Sequence, residues 1–338
     1  MAFLSDKAIE RLRNADVAPD FSGTRYSLSE FIARGGMGAV YLARDQTLLR
    51  RVAIKILDAA DPDGQLADRL RQEARVLAQL EHPGIVPVHD AGMLPDGRTF
   101  YVMKFIEGSR LDEFLVGVDS LPERLRLFLR ICDAVSFAHS RGILHRDLKP
   151  ANIMVGAFGE VLVMDWGLAK VLPHSSVESP PVAVGPEIAP ARASNDRAHL
   201  GSKTQDGLIV GTPGFMSPEQ AFGRSSDLDQ RSDIFSLGKL LHFVVQSPDG
   251  GGSAGSRLAR PLRAICDKAT APDRALRYPA VSALAEDVSR YLDGAPVSAH
   301  RENLGERALR FYRRYQPAIL LIAAYLLMRA LFVIYSRR

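Results

Sequence analysis

Cysteine is nearly absent. Only Cys132 and Cys266 occur in 338 residues, so a disulfide framework and a cysteine-built zinc site are both excluded. The two thiols read as small apolar core residues of a reducing compartment. No period of 20–50 residues repeats, which excludes repeat architectures. A charge excess of one sign is also missing from the body. The formal net charge is +4, yet residues 301–338 hold eight Arg and two Glu, so the first 300 residues carry −2. Without a basic excess to track a phosphate backbone, no nucleic-acid partner is expected. The stretch Met1 to Asp20 includes Asp6, Glu10, Arg11 and Arg13 and has no apolar run, so no secretory signal is expected. What remains is a globular balance, 46% hydrophobic and 24% charged. At ~100–200 residues per domain, this length makes about two compact units.

The texture changes along the chain. Ser5 to Asn14 reads as a short capped helix. Ser27 to Leu42 alternates like a strand, interrupted by the run ARGGMG from Ala33 to Gly38. Further strands are expected at Arg51–Leu57, Ile85–Val88 and Phe100–Phe105, with a turn at Gly92–Gly97 and an amphipathic helix at Leu66–Leu80. Beyond Gly108 helical spacing dominates, as in Leu125, Leu129, Cys132 and Val135 within Pro122–Arg141. A strand-rich first part followed by a helix-rich second part predicts two lobes meeting near Phe105 to Gly108. Val171 to Val210 has five prolines in its first twenty residues and no Phe, Tyr or Trp, so it is expected to be a loop.

One long apolar run stands at the end. PAILLIAAYLLMRALFVIY, from Pro317 to Tyr335, is 19 residues, roughly 28 Å of helix against a hydrocarbon core of ~30 Å. Arg310, Arg313 and Arg314 precede it, and Tyr312, Tyr315 and Tyr335 flank it, in the positive-inside and aromatic-belt patterns. Arg329 opposes insertion by ~2.5–3.5 kcal/mol but lies near enough to the far end to snorkel. A single membrane span is expected, with lipid as partner and the body cytoplasmic.

The most specific chemistry lies in HRDLKPAN, His145 to Asn152, followed by DWG, Asp165 to Gly167. Moving a phosphoryl group to a hydroxyl requires a carboxylate for the acceptor, a cation on the phosphate and oxygen ligands for magnesium. Asp147, Lys149, Asn152 and Asp165 supply these types. The run resembles the catalytic loop of bacterial eukaryotic-like serine/threonine protein kinases, and the resemblance extends over roughly Tyr26 to Leu292. It implies an α+β bilobal protein-kinase fold, with a strand-rich N-lobe at 26–106 and a helical C-lobe at 107–294. An N-terminal extension (1–25), an activation segment (165–219), a basic juxtamembrane segment (295–316) and the span (317–335) complete the expected organisation.

The same resemblance implies site residues. Asp147 and Lys149 would be catalytic, and Asn152 and Asp165 would hold Mg²⁺ or Mn²⁺. Arg34, Gly35, Gly36, Met37, Gly38 and Val40 would cover the ATP phosphates. Lys55, in the run VAIK, would bind phosphate and pair with Glu73. Ala53, Met103, Lys104, Phe105 and Ile106 would surround the adenine. Arg146, Thr212, Glu219, Asp233 and Arg277 would be structural supports, and Ser202 and Thr204 would be phosphorylated. Protein substrates and homodimerisation for trans-autophosphorylation follow as partners. Four departures stand out. Ala33 replaces a loop glycine, Trp166 replaces a phenylalanine, Lys104 sits where an acid is common, and a helix is missing after Gln246. They keep open an alternative, an ATP-binding membrane scaffold with weak transfer.

Overall fold

The computed structural model describes residues 19–35, 38–57, 65–171, 212–223, 228–246, 258–301 and 320–329, with 305, 307 and 335. The helix expected at Ser5–Asn14 lies outside these residues, as do Gly36, Met37, nearly all of the 171–210 insertion and the connector Pro248–Ser256.

Strands β1 (Tyr26–Gly35), β2 (Gly38–Asp45), β3 (Arg50–Ile56), β4 (Val88–Met93) and β5 (Thr99–Lys104) form one antiparallel sheet in the order β1-β2-β3-β5-β4. Side chains alternate across it. Val52, Ile54, Ile56, Phe100 and Val102 share an outer core with Phe21, Tyr26 and Leu94. Phe21 meets Phe100 edge-on, ring centres 5.0 Å apart. Ala53, Tyr101 and Met103 belong to the opposite core, with Leu70 and Leu77 of helix α1 (Gln65–Gln79).

Two expectations shift here. The strand expected at Ile85–Val88 starts instead at Val88 and runs on to Met93. Pro83 and Pro87 lack the N–H a ladder needs, so Ile85 makes only an isolated bridge with Val163. The turn expected from Gly92 begins later, at Leu94, where the Gly97 N–H donates to the Leu94 carbonyl at 2.9 Å. Gly92 stays in the strand, paired with Phe100, and a Cβ there would lie 2.8 Å from the Phe100 ring, which favours glycine.

The second lobe comprises β6 (Gly108–Arg110), α2 (Leu111–Phe114), α3 (Leu121–Ser140), β7 (Ile143–Leu144), β8 (Ile153–Gly156), β9 (Val161–Val163), β10 (Lys170–Val171), α4 (Pro218–Ala221), α5 (Gln230–Val245), α6 (Arg260–Ala269) and α7 (Val281–Leu292). Helix α3 starts where the Ser120 side chain accepts from the Glu123 N–H and Pro122 occupies the first turn. Its buried Leu125, Phe128, Ile131, Cys132 and Val135 form the axis on which α5, α7 and β9 pack. Leu129, expected on the same face, is only partly buried. One core runs from Leu70 and Leu77 of α1 through Trp166 to Leu237 of α5, so the cleft lies between the inner sheet face and the loops around β7 to β9.

The lobe extends past α7. The buried Asp287 carboxylate accepts from the Tyr278 hydroxyl, the Ser298 N–H and hydroxyl and the Ala299 N–H, all within 3.0 Å. Val297 to Ala299, within the stretch 295–316 expected as a basic juxtamembrane segment, therefore pack on the lobe. Among the described residues, no helix is long and apolar enough to cross a membrane. Residues 320–329 are helical, with Leu321, Ile322, Tyr325 and Met328 exposed.

A buried charge secures the end of α5. Arg124 is 3% exposed and donates to the carbonyls of Leu115, Val118, Val244 and Gln246. Arg124→Ala would remove hydrogen bonds from four carbonyls in a buried place, a loss on the order of 3 kcal/mol. The urea midpoint should fall accordingly, and Arg124→Lys should recover little because one ammonium cannot span the fork. A midpoint unchanged in Arg124→Ala would contradict this assignment.

Candidate active site

On the sheet side of the cleft, β3 and β5 place Ala53 directly opposite Met103 and Lys55 opposite Tyr101. Val40 faces Lys55 from β2. Helix α1 turns one face inward, so Glu73 is buried with Leu70, Ala74 and Leu77 at helical spacing. Lys55 Nζ lies 2.9 Å from both Glu73 oxygens and 3.2 Å from Asp165 Oδ1. The Tyr101 hydroxyl donates to Glu73 Oε1 at 2.8 Å. Burial opposes charging of Lys55, yet Glu73 and Asp165 outweigh it and hold its pKa above the ordinary value. Burial would likewise raise Asp165, but Lys55 draws it below the usual carboxylate range.

The β1–β2 hairpin is tight, Gly35 facing Gly38. A Cβ on Gly38 would fall 2.0 Å from the Ile56 carbonyl oxygen, so only glycine lets β2 approach β3 there. Ala33 pairs with Val40, and Arg34 with Ala39, inside the ladder. The Ala33 Cβ therefore belongs to a strand and not to the turn. At the end of β5, the Lys104 N–H donates to the Pro87 carbonyl at 3.1 Å while its side chain is exposed. Phe105 lies under the Arg51 guanidinium, 5.2 Å away, and Ile106 is buried.

Across the cleft, the segment from His145 to Lys149 has no regular structure and must be held by side chains. Asp233 of α5, fully buried, does this. Its Oδ2 accepts from the His145 N–H at 2.8 Å and lies 2.7 Å from His139 Nε2, and its Oδ1 accepts from the Arg146 N–H at 2.8 Å. Burial would raise its pKa, but the hydrogen bond from His139 leads the contributions that lower it. Arg146 and Asp165 have φ of +70° and +56°, costs of about 1–3 kcal/mol each that the surroundings must sustain. Gln220 adds a second hold on Arg146, Nε2 donating to its carbonyl at 2.7 Å. The Arg146 guanidinium is buried, its Nε has no hydrogen-bond partner among the described residues, and burial lowers its pKa.

Asp147 is the convergence point. Its Oδ1 accepts from the Thr212 N–H at 3.0 Å and hydroxyl at 2.8 Å. Its Oδ2 accepts from Lys149 Nζ at 2.7 Å and Asn152 Nδ2 at 3.1 Å. Lys149 also donates to the Thr212 hydroxyl at 2.6 Å. Asn152 Nδ2 reaches the Asp147 carbonyl too, at 2.8 Å, which commits its amide nitrogen and leaves its carbonyl oxygen as the hard donor. Trp166, 1% exposed, packs against the His145 ring at 4.6 Å and donates from Nε1 to the Val163 carbonyl.

The segment carrying Thr212 is fastened by Glu219 and Arg277. The Arg277 guanidinium meets both Glu219 oxygens, at 2.7 and 2.9 Å, and the Ser232 hydroxyl donates to Oε1 at 2.8 Å. Ser202 and Thr204 lie outside the described residues. Sequence reasoning missed His139, Ser232, Tyr101 and Gln220. Only Gln220 had a local signal, the Ser217-to-Gln220 capping box.

The Glu219 pair gives a pH test. Burial would raise this carboxyl, but Arg277 and Ser232 bring it down to about 2. A depressed folded-state pKa contributes stability above the ordinary value of ~4.3 and loses it as pH falls toward the folded value. The Tm gap between the wild type and Glu219→Gln should hold from neutral pH to about pH 5, then close toward pH 2. A gap that persists at the acid end would contradict the assignment.

Residues 26–249 match the family model of the protein kinase domain. The chain is 35% identical over 305 residues to the serine/threonine-protein kinase PknD of Chlamydia felis, covering 80% of this chain and 31% of that protein. It is 33% identical over 307 residues to PknD of Protochlamydia amoebophila, covering 80% and 30%. The chain thus spans about a third of the length of these relatives. Among solved structures, the PknI kinase domain of Mycobacterium tuberculosis aligns with a TM-score of 0.53 at 21% identity, covering 86% of this chain and 99% of that one. At that identity the likeness speaks for the fold, which is the bilobal one described above. With a match over residues 26–249 that takes in the sheet lobe, the cleft residues Lys55, Glu73, Asp147 and Asp165, and the helical lobe as far as α5, the chain belongs to the protein kinase family.

Proposed function

We propose that this protein transfers the γ-phosphoryl group of ATP to serine and threonine hydroxyls of proteins, itself included. The observation that carries the reading is the Asp147 carboxylate, held by Lys149, Thr212 and Asn152 in the same cleft as the Lys55–Glu73–Asp165 cluster. The acceptor hydroxyl would give its proton to Asp147 as its oxygen bonds to phosphorus and the bond to the ADP oxygen breaks. Lys149 would move from Asp147 and Thr212 onto the transferring phosphate, and Lys55 would hold the inner phosphates. Asn152 and Asp165 offer a hard-oxygen donor set that fits Mg²⁺ or Mn²⁺, which when bound neutralises phosphate charge. Asp165 keeps 49% of its side chain exposed, consistent with a ligand role.

Arg146 supports regulation by phosphorylation. A buried guanidinium whose Nε has no hydrogen-bond partner among the described residues is suited to a phosphorylated loop residue, for which Ser202 or Thr204 is the candidate. Homodimers would carry out that reaction in trans. The apolar run at 317–335 supports a single-pass anchor in the cell membrane with the catalytic lobes on the cytoplasmic side.

The full chain in detergent, incubated with Mg-ATP, should acquire phosphate on Ser or Thr, read by mass spectrometry. Asp147→Asn should reduce the rate by roughly 10²–10⁴-fold while nucleotide still binds. Equal phosphate in both proteins, or none in the wild type, would refute transfer through Asp147. For the anchor, the intact chain should float with liposomes in carbonate, and a chain ending at residue 314 should not. Flotation of both would refute it.

A further inference from the structure

The Tyr101 hydroxyl plays no part in the transfer chemistry outlined above, and its surroundings define what it does. The ring is 2% exposed on β5, a strand paired on both edges by β3 and β4. Its neighbour across the ladder is Lys55, whose Nζ stands 5.9 Å from the ring centre. The hydroxyl donates to Glu73 Oε1 at 2.8 Å, in a place where burial keeps the phenol protonated and therefore a donor. The Glu73 side chain is fully buried, and it takes its hydrogen bonds from Lys55 and Tyr101 alone among the described residues.

These donors differ in kind. Lys55 sits on a flexible stem, also pairs with Asp165, and in the proposed reaction would turn to phosphate. Tyr101 is rigid, cannot follow α1 outward, and would be left as an unsatisfied buried hydroxyl if Glu73 withdrew. We infer that the Tyr101 hydroxyl is a positioning group that holds Glu73, and with it helix α1, facing Lys55 before nucleotide arrives. A hydrogen bond to a charged acceptor is enough to shift an inward–outward equilibrium by roughly 10- to 100-fold. The expected consequence for rate rests on the kinase reading; the consequence for helix position does not.

Tyr101→Phe keeps the ring and removes only the hydroxyl. The test uses the full chain with spin labels at Arg44→Cys on β2 and Arg75→Cys on α1, both exposed sites in the sheet lobe. Cys132 and Cys266 are buried and spared labelling. With Tyr101, the distance distribution without nucleotide should show one population. With Tyr101→Phe, a second, longer population should appear and collapse when Mg-ATP is added. In the unlabelled protein kcat/KM for ATP should fall about tenfold, mostly through KM, because nucleotide must then recruit the inward state. If the helix shifts and no transfer occurs in either protein, positioning stands and the kinase reading fails. A single unchanged population in Tyr101→Phe overturns the inference, whatever the activity. So does a kcat/KM loss accompanied by an unchanged distribution.

Discussion

One buried carboxylate sets the geometry of the cleft. Asp233 has no exposure, yet it stays charged because the backbone N–H groups of His145 and Arg146 and the His139 ring surround it. The loop it holds supplies Asp147, Lys149 and Asn152, and contains no helix or strand before Pro150. Backbone hydrogen bonds of regular structure therefore cannot fix Asp147 and Lys149. A helix buried against α3 can, because its own position is set by packing around Leu237, Leu240 and Leu241. Precision in the loop is borrowed from the core through one side chain, and the positive φ at Arg146 is the local cost.

The other half of the cleft is organised around Lys55. It ties three elements that share no backbone contact network, β3, helix α1 and the turn bearing Asp165. The charges are sheltered enough for their mutual attraction to outweigh desolvation at Lys55 and Asp165, whose shifts reinforce ionisation of both. At Glu73 burial prevails instead, and its carboxyl is pushed up despite Lys55. Tyr101 adds a neutral donor at that carboxylate, which favours its charged form.

Much of this was legible in the sequence because motif spacing carries the chemistry. HRDLKPAN puts an acid, a cation and an amide within six residues, and a loop that short must bring them together. Lys55 and Glu73 were legible only through the resemblance, from the run VAIK and the place of Glu73 on the helix that follows it, and the two side chains do meet. Other residues could not be read this way. An aromatic in a strand looks like core, and Tyr101 is core apart from one oxygen atom. Arg124 looks like a solvated helix charge, yet it closes the end of α5 from 120 residues away. The shift of β4 followed from Pro83 and Pro87, whose missing N–H groups outweighed an apolar pattern. The packing of Val297 to Ala299 could not be read from the sequence because their anchor is a carboxylate on the preceding helix.

The central claim is that the reacting groups depend on Asp233 for their placement, and it can be tested at that residue. Amide hydrogen exchange at His145 and Arg146, measured beside phosphoryl transfer in the wild type and in Asp233→Asn, is the most direct measurement. The account predicts that protection of both amides and transfer are lost together, while exchange in β3 and α1 is unchanged. Full transfer by a protein whose two amides exchange freely would contradict it.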